Sequence, residues 1–337
     1  MGRIILIAVI VALLWIPLLK PLGQAAIVVA DLYAPVFGSD LSLGPAPRIA
    51  DTREAIAGEA LRVTWFVPAQ GERHPAMLVV NGATPNGNDD PITRRLCDAL
   101  ARGGWLVMLP EFPFLVTGRL SVAAPSAIAS AFAALRARPE VDGERVSAFG
   151  SSVGAGLLLA AAGREPALAR ADALVILGSY YDLDTYLASV VTRTQRRDGL
   201  LAPWPASEEV KQRLPAAVLD ALSGTDRDAL ARALAADGYD RVTAALAVLP
   251  RAARALLDGL SPRTTWSKIA APIYWLHDPN DTYEPVAEAE RARDASPPGR
   301  LTLAEPGLVS HAAPVTGPIS DLLALVGFAL AVMRASN

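Results

Sequence analysis

Apolar positions along this chain alternate between two periods, one of two residues and one of three to four. Leu61, Val63, Trp65 and Val67 interleave with Arg62, Thr64 and Phe66, a strand pattern for the antiparallel opening of a sheet. Compact apolar runs follow at 77–81, 105–109, 173–178, 272–277 and 300–304, each short enough to be a buried strand. Between them lie helical stripes: Ile92, Leu96 and Leu100; Ile128, Phe132 and Leu135; the Ala/Leu-rich stretch 153–162; and a final helix expected to pack through Leu322, Val326, Leu330 and Met333. Strands alternating with helices specify an α/β architecture with a mostly parallel sheet flanked by helices. The rhythm stops between about 183 and 268, where short helical segments such as SEEVKQRL and TDRDALARALAAD predict a helical cap over a pocket.

Composition narrows the class. At 337 residues and 52% hydrophobic content the chain can bury a large core, so disorder is excluded. A net charge of −3 gives no reason to expect a nucleic-acid partner. One cysteine, Cys97, rules out an intrachain disulfide framework, and 3 scattered histidines argue against zinc, so no metal or cofactor is expected.

The N-terminus reads as an address. Residues 4–19, IILIAVIVALLWIPLL, are uninterruptedly apolar behind Arg3. The run falls between a signal-peptide core of roughly 7–15 residues and a membrane span of about 20. Gly23-Gln24-Ala25 offers a small-x-small cleavage site, while AAIVVADLYAPVF could prolong an anchor at a membrane surface. Residues 1–25 are therefore expected to be a signal peptide or anchor, 26–51 a linker or extension, and 52–337 the catalytic domain outside the cytoplasm. An uncleaved anchor is preferred over full secretion, and the positive charge before the run favours an N-terminus that stays inside.

Candidate chemistry centres on ERVSAFGSSVGAGLLLAAA at 144–162, where Gly150-Ser151-Ser152-Val153-Gly154 joins an apolar run to a helical one. This is the GxSxG pattern in its strand-turn-helix setting: a sharp turn exposes Ser152, and Gly150 and Gly154 keep the crowded backbone clear. The bare pattern has about 0.1 chance matches in such a chain, so context decides. The same letters fit a dinucleotide-binding turn of short-chain dehydrogenases. That reading needs the turn at the first strand-helix unit and a Tyr-x-x-x-Lys, and none of Lys20, Lys211 and Lys268 has a tyrosine four residues before it.

A serine nucleophile needs a base. His74, in GERHP, reads as an exposed turn histidine, and His277, at the end of the strand before DPND, as a loop-shaping one. His311, after the final strand, is the expected base. The orienting acid should lie between nucleophile and base in the chain. Asp281 is preferred over Asp182 and Asp184, with Asp278 capping the turn at Pro279. Oxyanion donors are expected from the backbone N–H groups of Val153 and of Ala83 in MLVVNGATPNG, with Gly82 giving clearance.

With NGATPNG, GSSVG, the LSP around Ser261, HDPND and SHAAP in this order from about residue 52 to the end, the chain resembles an α/β-hydrolase of the bacterial dienelactone-hydrolase and prolyl-oligopeptidase-like branch. The resemblance implies the α/β-hydrolase fold, with an eight-stranded type of sheet, and serine chemistry, but no particular substrate; with Ser152, His311 and Asp281 in these roles, the expected function is a serine hydrolase cleaving small-molecule carboxylic esters through an acyl-enzyme. Relatives often carry His-Gly where this chain has Asn81-Gly82. Two other functions stay open: a peptidase or acyltransferase using the same three residues, and a binding protein without catalysis on a hydrolase scaffold.

Overall fold

The computed structural model describes residues 19–311 and 313–336. Most of the apolar run at 4–19 therefore lies outside the described residues. The chain opens with helix α1 (Lys20–Tyr33), followed by an antiparallel pair, β1 (Arg48–Ile56) and β2 (Glu59–Val67). Then come β3 (His74–Val80), α2 (Pro91–Arg102), β4 (Leu106–Pro110), the short α3 (Pro113–Thr117), α4 (Ala124–Arg136), β5 (Val141–Ser151), α5 (Ser152–Ala162) and β6 (Leu174–Leu177). The insertion comprises α6 (Leu183–Thr192), a hairpin of β7 (Thr194–Arg197) and β8 (Leu200–Pro203), α7 (Glu208–Asp220), α8 (Gly224–Leu234), α9 (Tyr239–Ala247) and α10 (Arg251–Leu260). The chain closes with β9 (Ile273–Leu276), α11 (Ala287–Asp294), β10 (Leu301–Ala304), a two-residue pair β11 (Val309–Ser310) and β12 (Ala313–Pro314), and α12 (Ile319–Ala335).

Eight strands form one sheet in the order β1-β2-β4-β3-β5-β6-β9-β10. The first two pairings, β1 with β2 and β2 with β4, are antiparallel, and the rest are parallel. Side chains alternate across the sheet as strand geometry requires. Ala76, Leu78 and Val80 of β3 and Leu106 and Met108 of β4 join the core beneath α4 and α5. Met77, Val79, Val107 and Leu109 join a separate core beneath α1, α2 and α12. This two-sided burial explains why the central strands read as apolar runs.

Several expectations are revised. The stretch 26–51, expected as a linker or extension, contributes most of α1 and the start of β1; Val28, Val29 and Tyr33 are buried because α1 packs against α2 and α12. Gly23, Gln24 and Ala25 lie inside α1, buried, and Gln24 Nε2 donates to the Gly103 carbonyl at 2.7 Å. Strand β1 escaped notice because it is an exposed edge whose polar RIADTREAI faces water. In α12 the buried face is Leu325, Phe328, Ala329, Val332 and Met333, with Leu322, Val326 and Leu330 only flanking it. A helix apolar nearly all round carries no clear stripe, so its orientation depends on its neighbours. His74 is buried at the start of β3, and burial pushes its imidazole below the usual histidine range. No helix among the described residues is long and apolar enough to cross a membrane.

Candidate active site

Ser152 is the first residue of α5, directly after β5 ends. Its φ of +51° is a left-handed conformation that costs about 1–3 kcal/mol in a non-glycine residue and persists only where the surroundings enforce it. The flanking glycines do part of the enforcing. A β-carbon at Gly154 would collide with the Asn81 carbonyl oxygen, and one at Gly150 would lie 2.6 Å from the Ala155 Cα. Ser179 Oγ donates to the Ser152 carbonyl at 2.9 Å, tying the turn to the loop after β6.

Asp281 follows β9 and His311 follows β10, so the acid and the imidazole come from loops at the carboxyl ends of neighbouring parallel strands, beside the crevice where such sheets bind ligands. Asp281 is buried and fully used: Oδ1 accepts from the N–H groups of Tyr283 at 2.7 Å and Glu284 at 3.1 Å, and Oδ2 lies 3.0 Å from His311 Nδ1. Burial works to raise its pKa, but the hydrogen bond and charge of His311 hold the carboxyl below the ordinary aspartate value. His311 has φ +53° and its ring stacks on Tyr283, with centroids 4.6 Å apart. Asp278 accepts from the Asn280 N–H at 2.8 Å and, through its other oxygen, from the His311 N–H at 3.3 Å, so the turn-capping carboxylate also anchors the histidine backbone.

The Ser152 hydroxyl does not hydrogen-bond to His311. It donates to Glu284 Oε1 at 2.7 Å, and Glu284 Oε2 lies 3.1 Å from His311 Nδ1. That carboxylate, almost wholly buried, links the serine to the imidazole and joins Asp281 on the same ring nitrogen. One N–H can point at only one of the two oxygens; Asp281 receives the hydrogen bond, and Glu284 Oε2 receives charge without one. Burial pushes the His311 pKa down, yet the charge of Glu284, together with the hydrogen bond and charge of Asp281, outweighs it and raises the imidazole to about 10.

Sequence reasoning missed Glu284. It stands three residues after Asp281 in a loop, and no local pattern separates it from a surface carboxylate. Its placement comes from His277, which is fully buried. Trp275 Nε1 can only donate, and it lies 3.2 Å from His277 Nδ1. The ring proton is therefore on Nε2, which donates to the Glu284 carbonyl at 3.0 Å.

Asp182 and Asp184, the alternative acids, are occupied elsewhere. Asp182 caps α6 and pairs with Arg263 at 2.7 Å, and Asp184 pairs with Arg254 at 2.8 Å. Val153 lies in the first turn of α5, where backbone N–H groups have no intrahelical partner. Ala83 lines the cavity beside Ser152. Asn81 organises that loop: its oxygen accepts from Gly82 N at 2.9 Å and Thr93 Oγ1 at 2.8 Å, and its amide donates to the Gly87 carbonyl at 3.0 Å.

One oxygen or nitrogen each from Asp281, Glu284 and His311 fall within 4.8 Å of one another, a donor set that a metal ion could use. The His311 ring proton already sits between the two carboxylates, so an ion would have to displace it.

The insertion supports the acid loop. Trp204 Nε1 donates to the Asp281 carbonyl at 2.7 Å, Tyr186 Oη to the Tyr283 carbonyl at 2.8 Å, and Tyr283 Oη to Glu209 at 2.9 Å. None of residues 183–268 lines the cavity beside Ser152, whereas a cap over the pocket was expected. That cavity, of about 300 Å3, instead opens on the opposite side of the sheet, between α1, α2 and α12.

No protein-family model matches the chain, and no curated protein matches it in sequence. Solved structures do match. A 2,6-dihydroxy-pseudo-oxynicotine hydrolase is similar at TM-score 0.53 and 16% identity, covering 89% of this chain and 70% of that one. A puromycin-hydrolyzing peptidase of Mycobacterium tuberculosis is similar at TM-score 0.53 and 18% identity, covering 86% of this chain. An acylaminoacyl peptidase of Pyrococcus horikoshii is similar at TM-score 0.53 and 13% identity, covering 83% of this chain. The chain spans only 38% and 39% of the two peptidases. Together with the strand order, these likenesses establish the α/β-hydrolase fold.

Proposed function

We propose that the chain is a serine hydrolase that cleaves carboxylic esters through an acyl-enzyme. The observation that carries this reading is Ser152 itself, held at positive φ at a strand-helix turn, with its hydroxyl on a buried carboxylate that touches the His311–Asp281 pair. Ser152 Oγ attacks the ester carbonyl. Its proton passes to His311 Nε2, the ring nitrogen not engaged by the two carboxylates, as the hydroxyl leaves Glu284. Val153 and Ala83 N–H groups take the negative charge that develops on the carbonyl oxygen. His311 then returns the proton to the departing alcohol, and a water activated the same way releases the acid and restores Ser152. The names of the structural neighbours, one hydrolase and two peptidases, agree with hydrolysis.

An ester is favoured over a peptide because the space beside Ser152 is lined overwhelmingly by hydrocarbon. The test is labelling with a short-chain fluorophosphonate: wild type should react, Ser152→Ala should not, and turnover of esters should exceed that of acyl-peptides. A folded wild-type protein that resists the probe would overturn the assignment and leave a binding protein. We also place the catalytic domain outside the cytoplasm, held at the membrane by residues 4–19. Membrane fractionation and protease accessibility in intact cells check this.

A further inference from the structure

We propose that the cavity between α1, α2 and α12 is an acyl-chain site, so that the esters turned over carry a medium-length unbranched aliphatic acyl group; this rests on the serine hydrolase reading. The cavity begins at Ser152, Ala83 and His311 and runs beside the sheet, away from the insertion. Leu96 and Leu100 of α2, Val29 and Leu32 of α1, and Phe328 and Ala329 of α12 form three of its walls. Several of its polar members are committed elsewhere. Asn81 and Thr93 bond each other at 2.8 Å, Asp90 caps α2 by accepting from Thr93 N at 2.9 Å, and Tyr33 Oη donates to the Leu308 carbonyl at 2.7 Å. Among the described residues the lining is mostly hydrocarbon, and an apolar space of this kind takes hydrocarbon in preference to water.

Size sets the length. A methylene takes roughly the volume of a water, ~30 Å3, so 300 Å3 holds a chain of about ten carbons. Position sets the direction of binding: Ser152 and Ala83 line the end of the cavity at the carboxyl ends of the strands, so the carbonyl stays there while the acyl tail lies between the helices and the alcohol points away. Helix α1 then becomes part of the specificity apparatus, as the direct continuation of the apolar run that precedes it.

The test measures kcat/KM for p-nitrophenyl esters from acetate to palmitate, below their micellar concentrations. Values should climb about threefold to fourfold per methylene, the gain from burying one, to a maximum near decanoate. A maximum at acetate or butyrate overturns the proposal. Ala329→Phe on α12 and Val29→Phe on α1 should each lower the decanoate-to-butyrate ratio tenfold or more; an unchanged ratio in both folded variants overturns it. Calorimetric titration of decanoate into Ser152→Ala gives a readout without catalysis. Binding is expected, and its absence sinks the acyl site even where wild type labels with fluorophosphonate. Decanoate binding in a protein that resists the label would instead overturn the hydrolase reading and leave the cavity as a fatty-acid site.

Discussion

The two faces of the sheet are packed to different standards. Under the face that carries α4 and α5, small residues bring backbones into contact: α5 is buried from Gly154 to Ala162, and a β-carbon at Gly156 would run into the ring of Tyr180. Under the opposite face, α1, α2 and α12 leave about 300 Å3 of open space beside the strands. Ser152 stands at the seam. The close-packed side fixes the helix whose N-terminus presents Ser152, and the looser side leaves open space beside it. Interiors packed to crystal density transmit small displacements, so rigidity under α5 and space under α1 are complementary requirements.

The strongest test of the seam is Ser152→Ala, which should reduce ester turnover by about 10⁴-fold or more while both cores stay intact by circular dichroism and denaturant midpoint. Retained turnover would place the chemistry elsewhere.

Next is the charge cluster on the seam. With His311 raised to about 10, the imidazole carries its proton at neutral pH, so kcat/KM should increase as pH rises through the alkaline range. Glu284→Gln removes the largest raising influence and should move the midpoint toward the ordinary 6.5. A profile unchanged by Glu284→Gln would exclude the carboxylate as the cause. The same linkage acts on stability. A folded-state pKa above the unfolded value stabilises fully below about 6.5 and is lost as pH climbs through about 10, so the wild-type denaturant midpoint should decline across that window and that of Glu284→Gln should decline less.

Packing itself is compared by Leu158→Ala on the tight face and Leu325→Ala on the cavity wall. Within the ~2–5 kcal/mol such truncations cost, Leu158 should lie near the top and Leu325 near the bottom, since Leu325 already borders empty space. Equal losses in urea titrations would dissolve the contrast between the faces. The smallest effect is expected from Asp90→Ala, which removes the cap of α2 and should cost about 1 kcal/mol.

Much of this was legible from local pattern. Ile128, Phe132 and Leu135 of α4 are buried as their spacing predicts, and β2, β3, β4, β6, β9 and β10 fall on the runs that announce them. Ser152 stands out in the sequence because its turn needs glycines at fixed offsets, a constraint that acts within five residues. Asp281 and His311 stand out because chain order in such folds limits the choice, and the structure brings those two side chains to 3.0 Å of each other. Glu284 was not found, because its role depends on a buried histidine contacting its carbonyl. The face of α12 is only partly legible, because a nearly all-apolar helix is oriented by what it packs against. The stretch before β1 reads as a linker or extension because burial of α1 depends on helices more than fifty residues away.

The sequence by itself determined where strands and helices form and which serine is forced into an exposed turn, since those follow from side-chain periodicity and backbone sterics over a few residues. Only the tertiary structure decided that a second carboxylate joins Ser152 to His311 and that the cavity lies under α1 and not beneath the insertion. Both are contacts between segments far apart in the chain, and no local energy term encodes them.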